Sequence, residues 1–422
     1  MSFSNQSSFK PSKMKTKRFR PKHQKAKLFR ASEPLLSVFM WGVNHTIHEL
    51  THVNVPVVLM PDDFKAHTKV KVDNHLFNKE NMASHFKVKE YCPLVFQNLR
   101  ERFQIDDTDY VNSLTKYQPF AHNGGGKSGA KFYESYDHLF ILKTLTSDEV
   151  ESMHHLLKEY HPYIVERHGK TLLPQYCGMY RLTVEGTETY IVVMRNICSS
   201  GLTVHRKYDL KGSTVDREAS EKERGKGNPI FKDNDFMRDG VRIFMSEERK
   251  RKFLDMLDAD TAFLCHKNIM DYSLCVAIHD MDKAEQELME CAPNEKHQQS
   301  AEEDEGESSG GDQVAEPHAA VPTPPDSPET HHKASDASEN DLPLSATIDP
   351  SRDIYAIQSN AESTKREIYF IGLVDVLTQF GLRKRTAQAA KTVKHGPTAE
   401  ISTVHPEQYA KRFNEFIAKA IE

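Results

Sequence analysis

An α+β fold with an antiparallel sheet in its first half is predicted by three observations. AHNGGGKSGAKFYESYDHLFILKTL (121–145) is a glycine-rich turn between strand-like runs, and the helical pattern TSDEVESMHHLLKEYHPYIVERHG (146–169) follows it at once. GMYRLTVEGTETYIVVMRN (178–196) is a hairpin turning at Glu185–Gly186. SLCVAIHD (273–280) and IYFIGLVDVL (368–377) are apolar runs of buried-strand length, far apart in the chain.

Each element follows from its residues. Residues 1–30 carry ten Lys/Arg and no acid, and are expected to form a disordered basic head. Between Ala31 and Glu49, Leu35, Val38, Phe39, Val43 and Ile47 recur at helical spacing after Ser32, a cap candidate. VPVVLM (55–60) reads as a short buried strand. TKVKVDNHLF (68–77) alternates Val70 and Val72 against Lys69 and Lys71, an edge strand with a cationic face. A helix is expected near Pro93–Phe103. The helix at 146–169 starts on Thr146 or Ser147 and closes at Gly169. SEERKRKFLDMLDADTAFLCHKN (246–268) is another helix, and Tyr409, Phe413 and Ile417 give the C-terminal segment an apolar stripe. Residues 281–350 hold 18 Asp/Glu against 3 Lys/Arg with many Pro and Ser, an acidic insert too polar to order itself. The expected organisation is therefore a first lobe at 31–196, a second at 197–280 resumed at 351–422, and the insert between.

The formal net charge of −5 conceals two opposite parts. Outside the insert the chain has a net charge of +10, which favours anionic partners. Nucleic acid is not expected among them, because only Phe19 and Phe29 are available for stacking near the basic run of the head. No apolar run reaches bilayer-spanning length, and the N-terminus has no apolar signal region. The six cysteines form no CxxC pair, so reduced thiols and no structural zinc are expected. A cytoplasmic chain is implied, peripheral on membranes, with the nucleus as a second compartment.

The order of elements is that of a kinase, with a nucleotide between a sheet-rich and a helix-rich lobe. Gly124, Gly125, Gly126 and Gly129 let backbone approach phosphate oxygens, with Lys127 and Lys131 adding charge; a plain flexible turn has the same composition. Lys143 ends LFILK, where it either meets nucleotide phosphates or simply faces water. Asp375 sits in an apolar run, where a buried carboxylate needs compensation: a Mg²⁺ ion or a core salt bridge. Asp271, just before a buried strand, is a candidate base or an ordinary turn residue. Arg206, Lys207, Lys211 and Arg217, among Gly and Ser with Asp209 and Asp216, suit a substrate phosphate or a salt-bridged loop.

FMWGVNH (39–45), LMPDDFK (59–65), HFKVKEYCP (85–93), SGAKFY (128–133), KYDLKGST (207–214), MDYSL (270–274) and AAKTVKHG (389–396) with AEISTVHPEQYAKRF (399–413) together resemble the phosphatidylinositol phosphate kinases. Within that family the chain looks like the type II members, the phosphatidylinositol 5-phosphate 4-kinases. The resemblance implies ATP and Mg²⁺, and a membrane containing phosphatidylinositol 5-phosphate as substrate. It also implies a homodimer, or a heterodimer with close relatives, that sets one flat basic face on the lipid. It implies that Lys143 meets nucleotide phosphates, Asp271 is the catalytic-loop aspartate and Asp375 binds magnesium. Lys127, Ser128, Gly129, Phe132, Lys143, Arg195 and Asn196 would then bind nucleotide, and Lys211 and Arg217 the substrate phosphate. A catalytically weak phosphoinositide-binding scaffold of the same fold is the alternative. Met194 and Cys198 stand where some type II members have Thr and Phe, positions linked in the family to GTP use, so ATP is the expected donor.

RKRTAQAAKTVKHG (383–396) matches the family's activation segment, taken as 376–400. Drawn as a helix, Arg383, Lys384, Lys391 and Lys394 share an arc of about 100°, and Arg385 adds a fifth base. Five bases near an anionic leaflet are worth about 5 kcal/mol. Type I relatives place Glu where this chain has Ala387, so the resemblance implies phosphorylation of the 4-hydroxyl.

Overall fold

The computed structural model describes residues 29, 31–54, 56, 58–73, 82–122, 129–198, 201–291, 348–350, 352–381 and 403–422. Helix α1 (Pro34–Leu50) begins where Pro34 supplies a preset φ and no N–H. Its N-cap is Glu33 rather than Ser32, whose backbone N–H donates instead to Gln118. The described part of 54–60 makes no strand, contrary to the expectation for VPVVLM: Val58 and Met60 are exposed. An apolar run becomes a strand only where a sheet edge will pair with it, and the edge is already taken by β1 (His67–Val72).

The first sheet adds β2 (Phe86–Tyr91), β3 (Phe120–Ala121), β4 (Phe132–Glu134), β5 (Phe140–Leu145), β6 (Tyr176–Val184) and β7 (Thr187–Arg195). All seven strands run antiparallel, in the order β1-β2-β6-β7-β5-β4-β3. Glu185 and Gly186 both have positive φ, 50° and 83°, and close the β6–β7 hairpin as expected. β1 is the expected edge strand, with Lys69 and Lys71 outward. Helix α2 (Pro93–Arg102) matches expectation. Helix α3 (Asp107–Thr115) was not foreseen, although its cap was visible: Asp106 accepts from the N–H groups of Thr108 and Asp109. Helix α4 (Ser147–Glu166) carries a full capping box between Thr146 and Glu149. It closes at Gly169, φ 73°, where a Cβ would lie 2.6 Å from the Arg102 carbonyl oxygen.

The second sheet contains β8 (Arg206–Leu210), β9 (Ile230–Lys232), β10 (Ser273–Asp280), β11 (Ala356–Gln358) and β12 (Glu367–Val374), in the order β11-β12-β10-β8-β9. Only β8 and β9 run parallel in it. Its central strands are buried from Ser273 to His279 and from Glu367 to Leu373, as their apolar runs require. Around it lie α5 (Glu221–Arg224), α6 (Asp233–Arg238), α7 (Glu247–His266), α8 (Met281–Cys291) and α9 (Pro406–Ala420). α8 carries helix into a stretch expected to be disordered. It is amphipathic, and Arg366 beside β12 bonds its Asp282 and Glu285.

One hydrophobic core runs through both sheets. Polar ties reinforce it. The carboxylate of Asp260 on α7 accepts from the Tyr163 hydroxyl of α4 (2.6 Å), from Thr171 Oγ1 (2.8 Å) and from Leu172 N (2.6 Å). Leu373 N of β12 donates to Leu172 O. Five cysteines (Cys92, Cys177, Cys198, Cys265, Cys275) are free thiols, as expected.

Candidate active site

β10 and β12 stop pairing at Ser273↔Val374, and the ladder resumes at Ile269↔Gln379. Three residues on one side face four on the other, so the ladder bulges there. Asp271 and Asp375 sit in this interruption, one on each side, with φ of 69° and 60°. Left-handed backbone is uncommon for Asp and is held by surrounding structure. Here the hold is visible: Met270 N donates to Thr378 O and Phe380 N to Asn268 O. The Tyr409 hydroxyl of α9 bonds Tyr272 O, and Tyr409 and Phe413 pack edge-on against the Tyr272 ring. The C-terminal helix thus braces the segment that carries Asp271.

Lys143 of β5 projects from the first sheet toward the second. Its Nζ lies 3.4 Å from Asp375 Oδ1 and 3.5 Å from Glu149 Oε1 in the first turn of α4. The amine is nearly buried. Phe132, its register partner on β4, places its ring 6.0 Å beneath the cation. Asp375 corrects an expectation: its side chain is 60% exposed, because the strand ends at Val374 and the chain then turns outward. The carboxylate is open to a ligand rather than in need of internal rescue.

Lys211 lies 2.8 Å from Asp271 Oδ1. The turn that aims it is organised by Asp233, wholly buried, whose Oδ1 accepts from the backbone N–H of Lys211 (2.9 Å) and Gly212 (2.8 Å). Gly212 has φ 62°, and a Cβ there would come 3.0 Å from Phe413 Cα, so glycine is required for α9 to dock. Arg217 is a second correction. It is buried, with Nε 2.7 Å from Asp233 and Nη2 bonded to the Asp209 carbonyl and carboxylate. Its guanidinium holds the loop together instead of offering charge outward. Arg206 likewise pairs with Glu367.

Two further residues expected at the nucleotide have internal partners. Asn196 Nδ2 donates to Glu134 Oε1 and His138 O, both at 2.9 Å, while its Oδ1 accepts from Cys198 N, so the amide is internal. Arg195 Nη2 reaches the Phe103 carbonyl at the end of α2. Gly129, φ 71°, leaves open space around its Cα. Lys127 and Ser128, and Arg383, Lys384, Arg385, Ala387, Lys391 and Lys394, lie outside the described residues. The structure therefore brings Lys143, Phe132 and Asp375 together, and sets Lys211, just after β8, against Asp271 in the interrupted ladder. Sequence reasoning missed Glu149 and Asp233. Glu149 was hidden by its other role as the capping-box acid, and nothing in FKDNDF singles out Asp233.

The chain is similar to known proteins along nearly its whole length. The family profile "Phosphatidylinositol-4-phosphate 5-Kinase" matches residues 113–420. Phosphatidylinositol 5-phosphate 4-kinase type-2 alpha of Gallus gallus is 56% identical over 411 residues, 97% of each chain. The human type-2 alpha protein is 55% identical over 412 residues, again 97% of each. The human type-2 beta protein is 55% identical over 401 residues, 94% of this chain and 92% of the relative. The chain belongs to the phosphatidylinositol phosphate kinase family.

Proposed function

We propose that this chain is a lipid kinase that transfers the γ-phosphoryl group of ATP to the 4-hydroxyl of phosphatidylinositol 5-phosphate, giving the 4,5-bisphosphate. The observation that carries the reading is the meeting of Lys143 with Asp375 beside the ladder interruption that also holds Asp271. The names of the relatives above give the substrate. In this reading the two sheets head two lobes, and the nucleotide lies between them.

Asp271 orients the lipid hydroxyl and takes its proton as the oxygen bonds to phosphorus and the bond to the leaving diphosphate breaks. Lys211, fixed through Asp233, holds the Asp271 carboxylate in position. Lys143 pairs with the triphosphate, and Glu149 keeps its long side chain in the extended pose this needs. Mg²⁺ fits the residues present, since the exposed Asp375 carboxylate is a hard oxygen ligand. The described residues contain no cluster of three or more metal-ligating side chains, as suits an ion held by one or two carboxylates, water and phosphate. When bound, the cation screens the phosphate charge.

Lys69↔Lys89↔Arg181 form a row of like charge across β1, β2 and β6, and Lys71 faces Lys87 beside it. Opposed like charges weaken a sheet. An anionic membrane laid against that face would relieve them, which supports peripheral attachment. No helix among the described residues is long and apolar enough to cross a membrane. The family resemblance adds a dimer presenting one such face. Replacing Asp375 by Asn is expected to abolish phosphate transfer on lipid vesicles while leaving vesicle sedimentation within about twofold. Full turnover in that variant would remove the metal role.

A further inference from the structure

Glu134, at the end of β4, is a nearly buried carboxylate beside the link between the two sheets, and the reaction above does not use it. Its side chain is 10% exposed. His122, directly after β3, places Nδ1 3.0 Å from Glu134 Oε2. His138, in the β4–β5 turn with φ 62°, places Nδ1 3.0 Å from Oε1. The same Oε1 accepts from Asn196 Nδ2, which also donates to the His138 carbonyl, while Asn196 N donates to Leu139 O. Asn196 begins the chain that leaves the first sheet for the second. One carboxylate therefore joins the end of β3, the β4–β5 turn and the inter-sheet link. Phe132 and Lys143 stand on the same two strands, β4 and β5.

We propose that Glu134, clasped by His122 and His138, is a positioning residue that sets Lys143 against Asp375, and that this clasp tightens when the histidines are protonated. The proposal rests on the kinase reading, because it names the nucleotide as what the clasp serves. An imidazolium and a carboxylate attract by charge as well as by hydrogen bond; a neutral imidazole leaves only the bond. Burial by itself would raise the Glu134 pKa, but the bonds and charges of His122 and His138 outweigh it and hold the carboxyl below its usual value, so it is ionised near neutrality. Two other groups feel its charge, Lys207 of β8 and the Cys198 thiol. Cys198 is raised by burial and Lys207 is raised chiefly by Cys275, so neither titrates between pH 6 and 8.

The test is steady-state kinetics of the full chain with ATP and lipid vesicles at pH 6.0 and 8.0. Variants are Glu134→Gln, His122→Gln with His138→Gln, and His122→Gln alone, each checked for folding by thermal melting. Each half-exposed pair is worth about two- to fivefold in an equilibrium constant. The KM for ATP is therefore expected to be about fivefold higher at pH 8.0 than at pH 6.0 in the native chain, with kcat within about twofold. That ratio should collapse toward one in Glu134→Gln and in the double histidine variant, and fall part-way in His122→Gln. If Glu134→Gln keeps the native ratio, the proposal fails and the kinase reading stands. If Glu134→Gln does not fold, an unchanged ratio in the histidine variants overturns it equally. A folded native chain that turns over no ATP at either pH defeats the kinase reading, and this proposal with it.

Discussion

Lys143 lies between two carboxylates supplied by different elements, Glu149 from α4 and Asp375 from the end of β12. Glu149 works twice, since its other oxygen accepts from Thr146 N to close the capping box. The two roles separate by mutation. Glu149→Gln is expected to lower kcat/KM for ATP by about tenfold, about 1.4 kcal/mol of barrier. Thr146→Ala, which removes only the cap, should lower the melting temperature and leave kcat/KM nearly unchanged. Equal kinetic losses in both would mean that Glu149 acts only on the helix. At this scale the sequence was legible wherever one residue type broke a pattern: a lysine ending an apolar strand, an aspartate inside one. It was not legible where the informative fact is a partner. Arg217 in KGSTVDR reads equally well as a phosphate ligand or an internal brace, and only the distances to Asp209 and Asp233 decide for the brace. Asp375 was expected to be buried because its run looks like uninterrupted strand, and a single positive φ turns it out to solvent.

β2 shows how an element enforces a charge state. Alternation puts Lys87 and Lys89 on its outer face and Glu90 inward, wholly buried near Arg100. Arg100 Nε pairs with Asp107 at 2.6 Å and its Nη1 donates to Cys177 O, so it is only partly available to Glu90. Glu90 Oε1 receives the Tyr180 hydroxyl at 3.4 Å, and its Oε2 has no hydrogen-bond partner among the described residues. Burial pushes the Glu90 carboxyl up to about 7, with the Arg100 charge opposing. A carboxyl raised in the folded state binds its proton more tightly there than when unfolded. Its contribution to stability is full below pH 4.5 and is lost as pH rises to about 7, about 3 kcal/mol in all. Denaturant unfolding from pH 4.5 to 8 should show that fall in the native chain relative to Glu90→Gln, and parallel curves would contradict it. Elements were the most legible level, since period and caps act locally. The failures were tertiary: 55–60 has strand composition without a strand to pair with, and α8 is a helix inside a segment whose overall composition argued against order.

Across the whole molecule, a bulged ladder in the second sheet faces a lysine from the first, and the ties through Asp260 and Leu172 keep the two in register. The kinase order was readable in the sequence because the family's motifs lie in its linear order. The pairing of β10 with β12 across the acidic insert was not, because strand pairing over such a distance leaves no local mark. On the same body, Lys69, Lys89 and Arg181 stand in a row across β1, β2 and β6, the face that the proposed function sets against anionic lipid. The claim joining these features is that the interrupted ladder presents one lipid ring hydroxyl to ATP. Incubating the full chain with labelled ATP, magnesium and vesicles carrying each of the three phosphatidylinositol monophosphates in turn tests it directly. The account predicts label entering the 5-phosphate lipid and the product proving to be the 4,5-bisphosphate; label entering only another monophosphate, or none although the vesicles are bound, would contradict it.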